Sequence, residues 1–354
     1  MVQENTVNIR PRISDMGIKI GLLPHGRYNT ITDVEGVTVG HVTLTKGCGP
    51  LDVGIGPIRT GVTVIIPHQR NTFKDKVTAA IHVINGFGKS IGLAQIQELG
   101  VIESPIALTN TLNCWLVADA LSDYMSGHNE GSYSFNPVVG ECNDSYLNDI
   151  LGKHVGKTHV NKALDIAYRP NIEEGSIGAG TGMTGFGWKG GIGTSSRLCN
   201  SPKGSYTVGA MTLTNTGDPR EFRIDGIQIG RKLLPEGTIK ESGGSIMIIV
   251  GTDAPVTARQ LGRMARRSAL GLGRVGAIAS HGSGDFVIAF SNSTVRTEID
   301  DAHLTPLFRG VVEATEEAII NSILRSHTIE GRDSNIRHGI PIDRLKEVLS
   351  DYIK

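Results

Sequence analysis

The sequence predicts an α/β or α+β fold in which helices cover sheets, and three observations carry that reading. Short runs of β-branched and aliphatic residues recur along the 354 residues. Segments whose apolar positions follow helical spacing alternate with those runs. The 46 glycines are spread among aliphatic segments rather than gathered in a repeat, so they call for many tight turns in a packed protein. The length fits one large domain or two, and no clean linker divides it.

Taken in order, Val62–Pro67 (VTVIIP) and Val77–Ile84 (VTAAIHVI) read as strands, and Gly88–Leu99 reads as a helix. Pro105–Thr109 is a strand, followed by a helix over Cys114–Met125. Tyr206–Thr214 (YTVGAMTLT) and Phe222–Ile229 alternate as strands do, and Leu234–Gly244 is polar and glycine-containing, as an exposed loop would be. Ile246–Val250 has the length and branching of a core strand. Pro255 suits the first turn of a helix, with helical spacing over Ala258–Leu270. Asp285–Phe290 is a strand. Leu307–Arg325 is a helix with Val311, Val312, Ala314, Ala318, Ile319, Ile323 and Leu324 as its apolar positions.

Charge is balanced, with 35 basic and 35 acidic residues, which points away from nucleic acid and anionic membranes as partners. The N-terminal stretch has no apolar core of the kind a signal peptide or membrane helix needs. The four cysteines, Cys48, Cys114, Cys142 and Cys199, form no CxxC pair; they suit a reducing cytoplasm and make no zinc site. Two GxGxxG matches, at Gly180, Gly182, Gly185 and at Gly271, Gly273, Gly276, lack the strand before and helix after that a dinucleotide site requires. Gly156, Lys157 and Thr158 resemble the end of a P-loop, but Leu151 stands where its first glycine belongs. No HExxH occurs. Nothing calls for a metal or cofactor.

One stretch raises a sharper question. In KESGGSIMIIVGTDAPV (240–256) a hydroxyl stands directly between Gly-Gly and a buried-looking strand. Taken locally, Ser245 can be a turn residue that bonds its own backbone. The sharper reading makes it a nucleophile, with the glycines leaving the Gly244 carbonyl open to attack.

Six segments in one order bear on that choice: GRYNTITDVEGVTVGHVTL (26–44), NPVVGECNDSYLND (136–149), GSIGAGTGMTGFGWKGGIGTSSR (175–197), GAMTLTNTGD (209–218), GGSIMIIVGTDAP (243–255) and ASHGSGDFVIAFSN (279–292). Together they resemble the L-aminopeptidase/D-esterase and β-peptidyl aminopeptidase family of self-processing N-terminal-nucleophile hydrolases, from about residue 15 to the C-terminus. The resemblance implies a layered α-β-β-α sandwich and a single catalytic domain over 1–354. It implies that the chain cuts itself into 1–244 and 245–354. Ser245 matches the family's nucleophile, and Gly244 the residue before the cut bond. Asn215 matches the oxyanion-hole amide. Ser283 and Asp285 match a hydroxyl and a carboxylate that support the nucleophile. Glu141 matches the carboxylate that holds the substrate's amino group. Asn143, a further substrate-side position, falls where family members differ. The implied substrate is a small peptide, amide or ester with a free amine, possible β-amino acids included, and the implied assembly is a homo-oligomer, a tetramer or larger. Two other readings stand beside this one. The ornithine acetyltransferase group also cleaves itself, but before a threonine, and an uncleaved scaffold could keep the fold without the chemistry.

Overall fold

The computed structural model describes residues 10–350 except 169, 171, 203, 237–243 and 296. Its strands form two main sheets. The first has four strands in the order β1 (Thr38–Lys46), β2 (Ile58–Ile66), β5 (Ile106–Asn110) and β6 (Val138–Cys142), antiparallel except for the parallel β5–β6 pair. The second has six strands in the order β4 (Val101–Ile102), β3 (Val77–Gly86), β10 (Gly284–Ser291), β9 (Ser245–Thr252), β8 (Gly204–Asn215) and β7 (Gly191–Ser201). Only its central pair, β9 with β10, is parallel.

The sheets stack face to face. Met211, Leu213, Met247, Ile249, Phe286 and Ile288 of the larger sheet pack with Ile65, Ile106, Leu108 and Val138 of the smaller one. Alternate residues of the same strands, Ile246, Ile248, Val250, Val287 and Ala289, point the other way. They pack under α4 (Ala258–Ala265), α5 (Ser268–Arg274) and α6 (Thr305–Leu324). On the far side, Val62, Val64, Ala107 and Val139 of the smaller sheet lie under α2 (Cys114–His128) and α3 (Lys157–Asp165). The result is four layers, α-β-β-α, as the resemblance implied. It explains why β9 reads as one unbroken aliphatic run: both of its faces are buried, so no polar alternation survives. Helix α1 (Leu93–Leu99) and the C-terminal α7 (Ile342–Ser350) complete the α-helices of the described residues.

Three expectations need correction. Phe222–Ile229 is not one strand but a small hairpin, Arg223–Ile224 against Ile227–Gln228. Its turn residues Asp225 and Gly226 both have positive φ, 49° and 78°, the two-residue hairpin geometry that Asp-Gly favours. The helix expected from Ala258 to Leu270 is two helices. It starts after Thr257, whose hydroxyl accepts from Gln260 N–H while Gln260 Oε1 accepts from Thr257 N–H, so Pro255 lies outside the first turn. The helical reading of Gly88–Leu99 holds only for Leu93–Leu99. Most of the Leu234–Gly244 loop, 237–243, falls outside the described residues.

All seven apolar positions expected on the long C-terminal helix are buried in α6. That helix also buries Glu313 and Glu317, which sequence spacing did not single out. Arg197 of β7 bridges them at 3.3 and 2.7 Å.

Candidate active site

Ser245 is the first residue of β9, at the end of the larger sheet's centre. The register sets Asn215, the last residue of β8, opposite it on one side, and Gly284, the first of β10, on the other. Two neighbouring strand ends therefore bring serine and asparagine together without a dedicated loop. Asn215 is held in one orientation. Its Oδ1 accepts from Thr184 N–H at 2.8 Å, so its Nδ2 must face the serine. That nitrogen donates to the Asn143 carbonyl at 3.0 Å and to Ser245 Oγ at 3.4 Å.

The glycine before the serine has a packing reason. A Cβ at Gly244 would meet Thr216 Cα at 2.7 Å and the Asn215 carbonyl at 3.0 Å, so the chain passes too close to β8 for any side chain. The Gly244 carbonyl accepts from Gly284 N–H at 3.2 Å, which holds the peptide on β10.

Ser245 opens into a cavity of about 450 Å³ lined by Gly244, Asn215, Asn143, Glu141, Thr111 and others. Glu141, on β6 of the other sheet, is 4% exposed. Its Oε1 accepts from Lys89 N–H at 2.8 Å, and its Oε2 accepts from the Thr111 hydroxyl. Two donors thus hold a carboxylate in a nearly dry wall, where a cationic ligand group would be its counter-charge. Asn143 lies at the rim, with its Oδ1 turned back to Ser145 N–H at 2.9 Å. Its contact to the site runs through its carbonyl.

Ser283 and Asp285 are fully buried and lie outside that lining. Ser283 Oγ donates to Asp285 Oδ1 at 2.6 Å. Asp285 is beside Ile246 in the ladder, and Asp285 Oδ2 has no partner among the described residues. Burial pushes its carboxyl up to about 6, against the downward pull of the Ser283 hydroxyl and the Ile246 N–H. A carboxyl raised in the folded state is protonated there when it is already ionised in the unfolded chain. Stability therefore falls as pH rises from about 4 to about 6 and is flat above, a loss of up to about 3 kcal/mol. Denaturant unfolding of one-chain Ser245→Ala protein should show that decline, and adding Asp285→Asn should remove this component. Parallel curves for the two proteins would contradict it.

Several residues of the site had no sequence signal of their own. Asn85 donates to the carbonyls of Ser280 and His281 at 3.1 and 3.0 Å and to that of Ser283, clamping the turn that carries Ser283. Cys142, next to Glu141, packs beside the Ser245 hydroxyl; burial, then the Glu141 charge, raises its thiol far above the usual range, so it stays protonated. Thr184, Tyr146 and Arg337 form another part of the wall. Among the described residues no group of acidic, histidine or cysteine side chains could hold a metal ion, and no helix is long and apolar enough to cross a membrane.

Set against known proteins, residues 29–337 match the model of peptidase family S58. The β-peptidyl aminopeptidase BapA of Sphingosinicella xenopeptidilytica is 40% identical over 367 aligned positions, covering 96% of this chain and 91% of that protein. Among solved structures, a protein of Pyrococcus horikoshii OT3 superposes with a TM-score of 0.92 at 45% identity, covering 97% of this chain and all of that one. The L-aminopeptidase D-Ala-esterase/amidase of Ochrobactrum anthropi superposes with a TM-score of 0.88 at 32% identity, covering 97% and 99%. It is described as a prototype for the serine aminopeptidases and as a new variant among the Ntn hydrolase folds.

Proposed function

Because the chain belongs to peptidase family S58, we propose that it is an aminopeptidase that cuts its own Gly244–Ser245 bond and then uses Ser245 as an N-terminal nucleophile. The observation that carries this reading is the convergence of Ser245, Asn215 and Glu141 on one cavity. Nucleophile, oxyanion donor and amine anchor are what hydrolysis beside a free amine requires. Its relatives carry the names β-peptidyl aminopeptidase and L-aminopeptidase, so the substrates are short peptides, amides or esters, with β-amino acids among the acyl groups tested.

Self-cleavage begins with Ser245 Oγ attacking the Gly244 carbonyl carbon. The C–N bond breaks, the nitrogen takes the proton, and Gly244 becomes an ester of Ser245. Water then hydrolyses that ester to a Gly244 carboxylate and a free Ser245. The new α-amine has an ordinary pKa of about 7.7–8, so a useful fraction is neutral near neutral pH and can accept the hydroxyl proton. In turnover, Ser245 attacks the substrate carbonyl while Asn215 Nδ2 donates to the developing oxyanion. Loss of one such donor typically costs about 2.7–4 kcal/mol of transition-state stabilisation. The amine product leaves, and water releases the acyl group from Ser245. Ser283, held by Asp285, orients the proton-carrying groups from behind β9 and β10. Glu141 pairs with the substrate ammonium.

Purified wild-type protein should run as two chains on a denaturing gel, with mass spectrometry locating the break at Gly244–Ser245. The pieces should stay together, and light scattering on the same sample should give a homo-oligomer of two-chain protomers, a tetramer or larger. A single chain overturns self-processing, and a mass of one protomer at all concentrations overturns the assembly. Four free cysteines fit a reducing cytoplasm, which cell fractionation tests.

A further inference from the structure

Among the charged side chains of the cavity wall, Arg337 has no counterpart in the scheme above. It ends the short strand Ile336–Arg337, which pairs with Ile329–Glu330. That hairpin is fastened to the segment after β6. Arg332 Nε donates to the Ser145 carbonyl at 2.6 Å, Asn335 Nδ2 to the Tyr146 carbonyl at 2.9 Å, and Arg332 N–H to the Leu147 carbonyl at 3.0 Å. So fixed, the Arg337 guanidinium lies over the Tyr146 ring, 3.5 Å from its centroid. Its Nε donates to Thr184 Oγ1 at 3.1 Å, and Nη1 reaches only the Ile336 carbonyl, at 3.4 Å. Among the described residues it has no carboxylate partner, and desolvation lowers its pKa against the upward pull of the Tyr146 hydroxyl beside it.

A cation stacked, oriented and left without an anion, in a wall that also holds Glu141, is a receptor for an anionic ligand group. Its place in the site is defined by contacts. From Ser245 it is reached through Asn215 and then Thr184, whereas Glu141 is reached through Cys142 on its own strand. The two charged groups share no hydrogen-bond partner. The other cation of the lining, Lys89, has its ammonium over the Phe87 ring and lacks the planar fork that matches a carboxylate.

We infer that Arg337 binds the free C-terminal carboxylate of the leaving residue, so that the preferred substrates are dipeptides read at both ends, ammonium by Glu141 and carboxylate by Arg337. The inference rests on the aminopeptidase reading. A cavity of about 450 Å³ is in the range that a ligand of this size fills.

The test compares each of L-Ala-L-Ala and β-Ala-L-Ala with its own C-terminal amide, with alanyl p-nitroanilide as a reference. Wild-type protein should prefer the free acid. Arg337→Gln should shrink the acid-to-amide ratio of kcat/KM by about 30-fold or more, mainly through KM for the acid. Arg337→Lys, a point charge without the fork, should recover part of the ratio. Loss that comes from disturbing Thr184 and Asn215 falls on acid and amide alike and cancels in the ratio. If Arg337→Gln leaves the ratio unchanged, or if wild-type protein cleaves acid and amide equally well while turning over the p-nitroanilide, the carboxylate receptor is wrong and the aminopeptidase reading stands. If wild-type protein cleaves none of these substrates, both fall.

Discussion

Ser245→Ala protein is expected to be one unbroken chain of 354 residues and to lose turnover of aminoacyl p-nitroanilides by at least about 10⁴-fold. The size of the effect follows from what the hydroxyl is asked to do. In the proposed mechanism it attacks the Gly244 carbonyl in the first event and the substrate carbonyl in the second, and without the first event the α-amine base is never released. Sterics argue against misfolding as the source of the loss, because alanine removes only an oxygen from a strand residue whose neighbours Ile246, Met247 and Ile248 supply the burial. Ser245→Cys separates the two explanations further. A thiol is also a nucleophile, so this variant should recover cutting at the same bond, at an altered rate. Cleavage of the Ser245→Ala protein between residues 244 and 245 would show that another group cuts the chain.

Glu141→Ala should lower kcat/KM for free-amine substrates by two orders of magnitude or more. An exposed ion pair would contribute only about 0–1 kcal/mol. Glu141 is 4% exposed and already oriented by Lys89 N–H and Thr111, and removing one partner of a buried pair costs about 3–5 kcal/mol. Self-cleavage needs no external ammonium, so the variant should still become two chains. N-acetylation of the substrate should damage the wild-type reaction nearly as much as the mutation does, and should add little to it. Equal wild-type rates on acetylated and free substrates would mean that Glu141 does not anchor the amine.

How far these residues could be found in the sequence depended on whether their signal was local. Strand β9 announced itself because both faces are buried and every position from Ile246 to Val250 is apolar. Ser245 had a bland local reading as a turn serine, and nothing local singled out Asn215 or Glu141. Only the order of six segments brought the three forward, and the register that sets Asn215 against Ser245 then came from the strand pairing. The hairpin at Asp225–Gly226 was missed although Asp-Gly is a turn signal, because the apolar residues around it alternate as in a single strand. The break between α4 and α5 was missed because apolar spacing continues past Arg266 and Arg267, where α4 ends. Arg337, Tyr146 and Asn85 had no local signature. Their partners lie far along the chain, and only the folded hairpin or the clamped turn puts them in place.

The order of the larger sheet, β4-β3-β10-β9-β8-β7, places the two strands that follow residue 244 in its middle, flanked on both sides by strands that precede it. Under the proposed cleavage, that arrangement changes the molecularity of folding. The precursor assembles its sheet within one chain, where the effective concentration of its parts is set by the loop joining them. The cut protein, taken apart in denaturant, must find its two central strands in a bimolecular encounter. Its recovery should depend on concentration, while that of the Ser245→Ala chain should not.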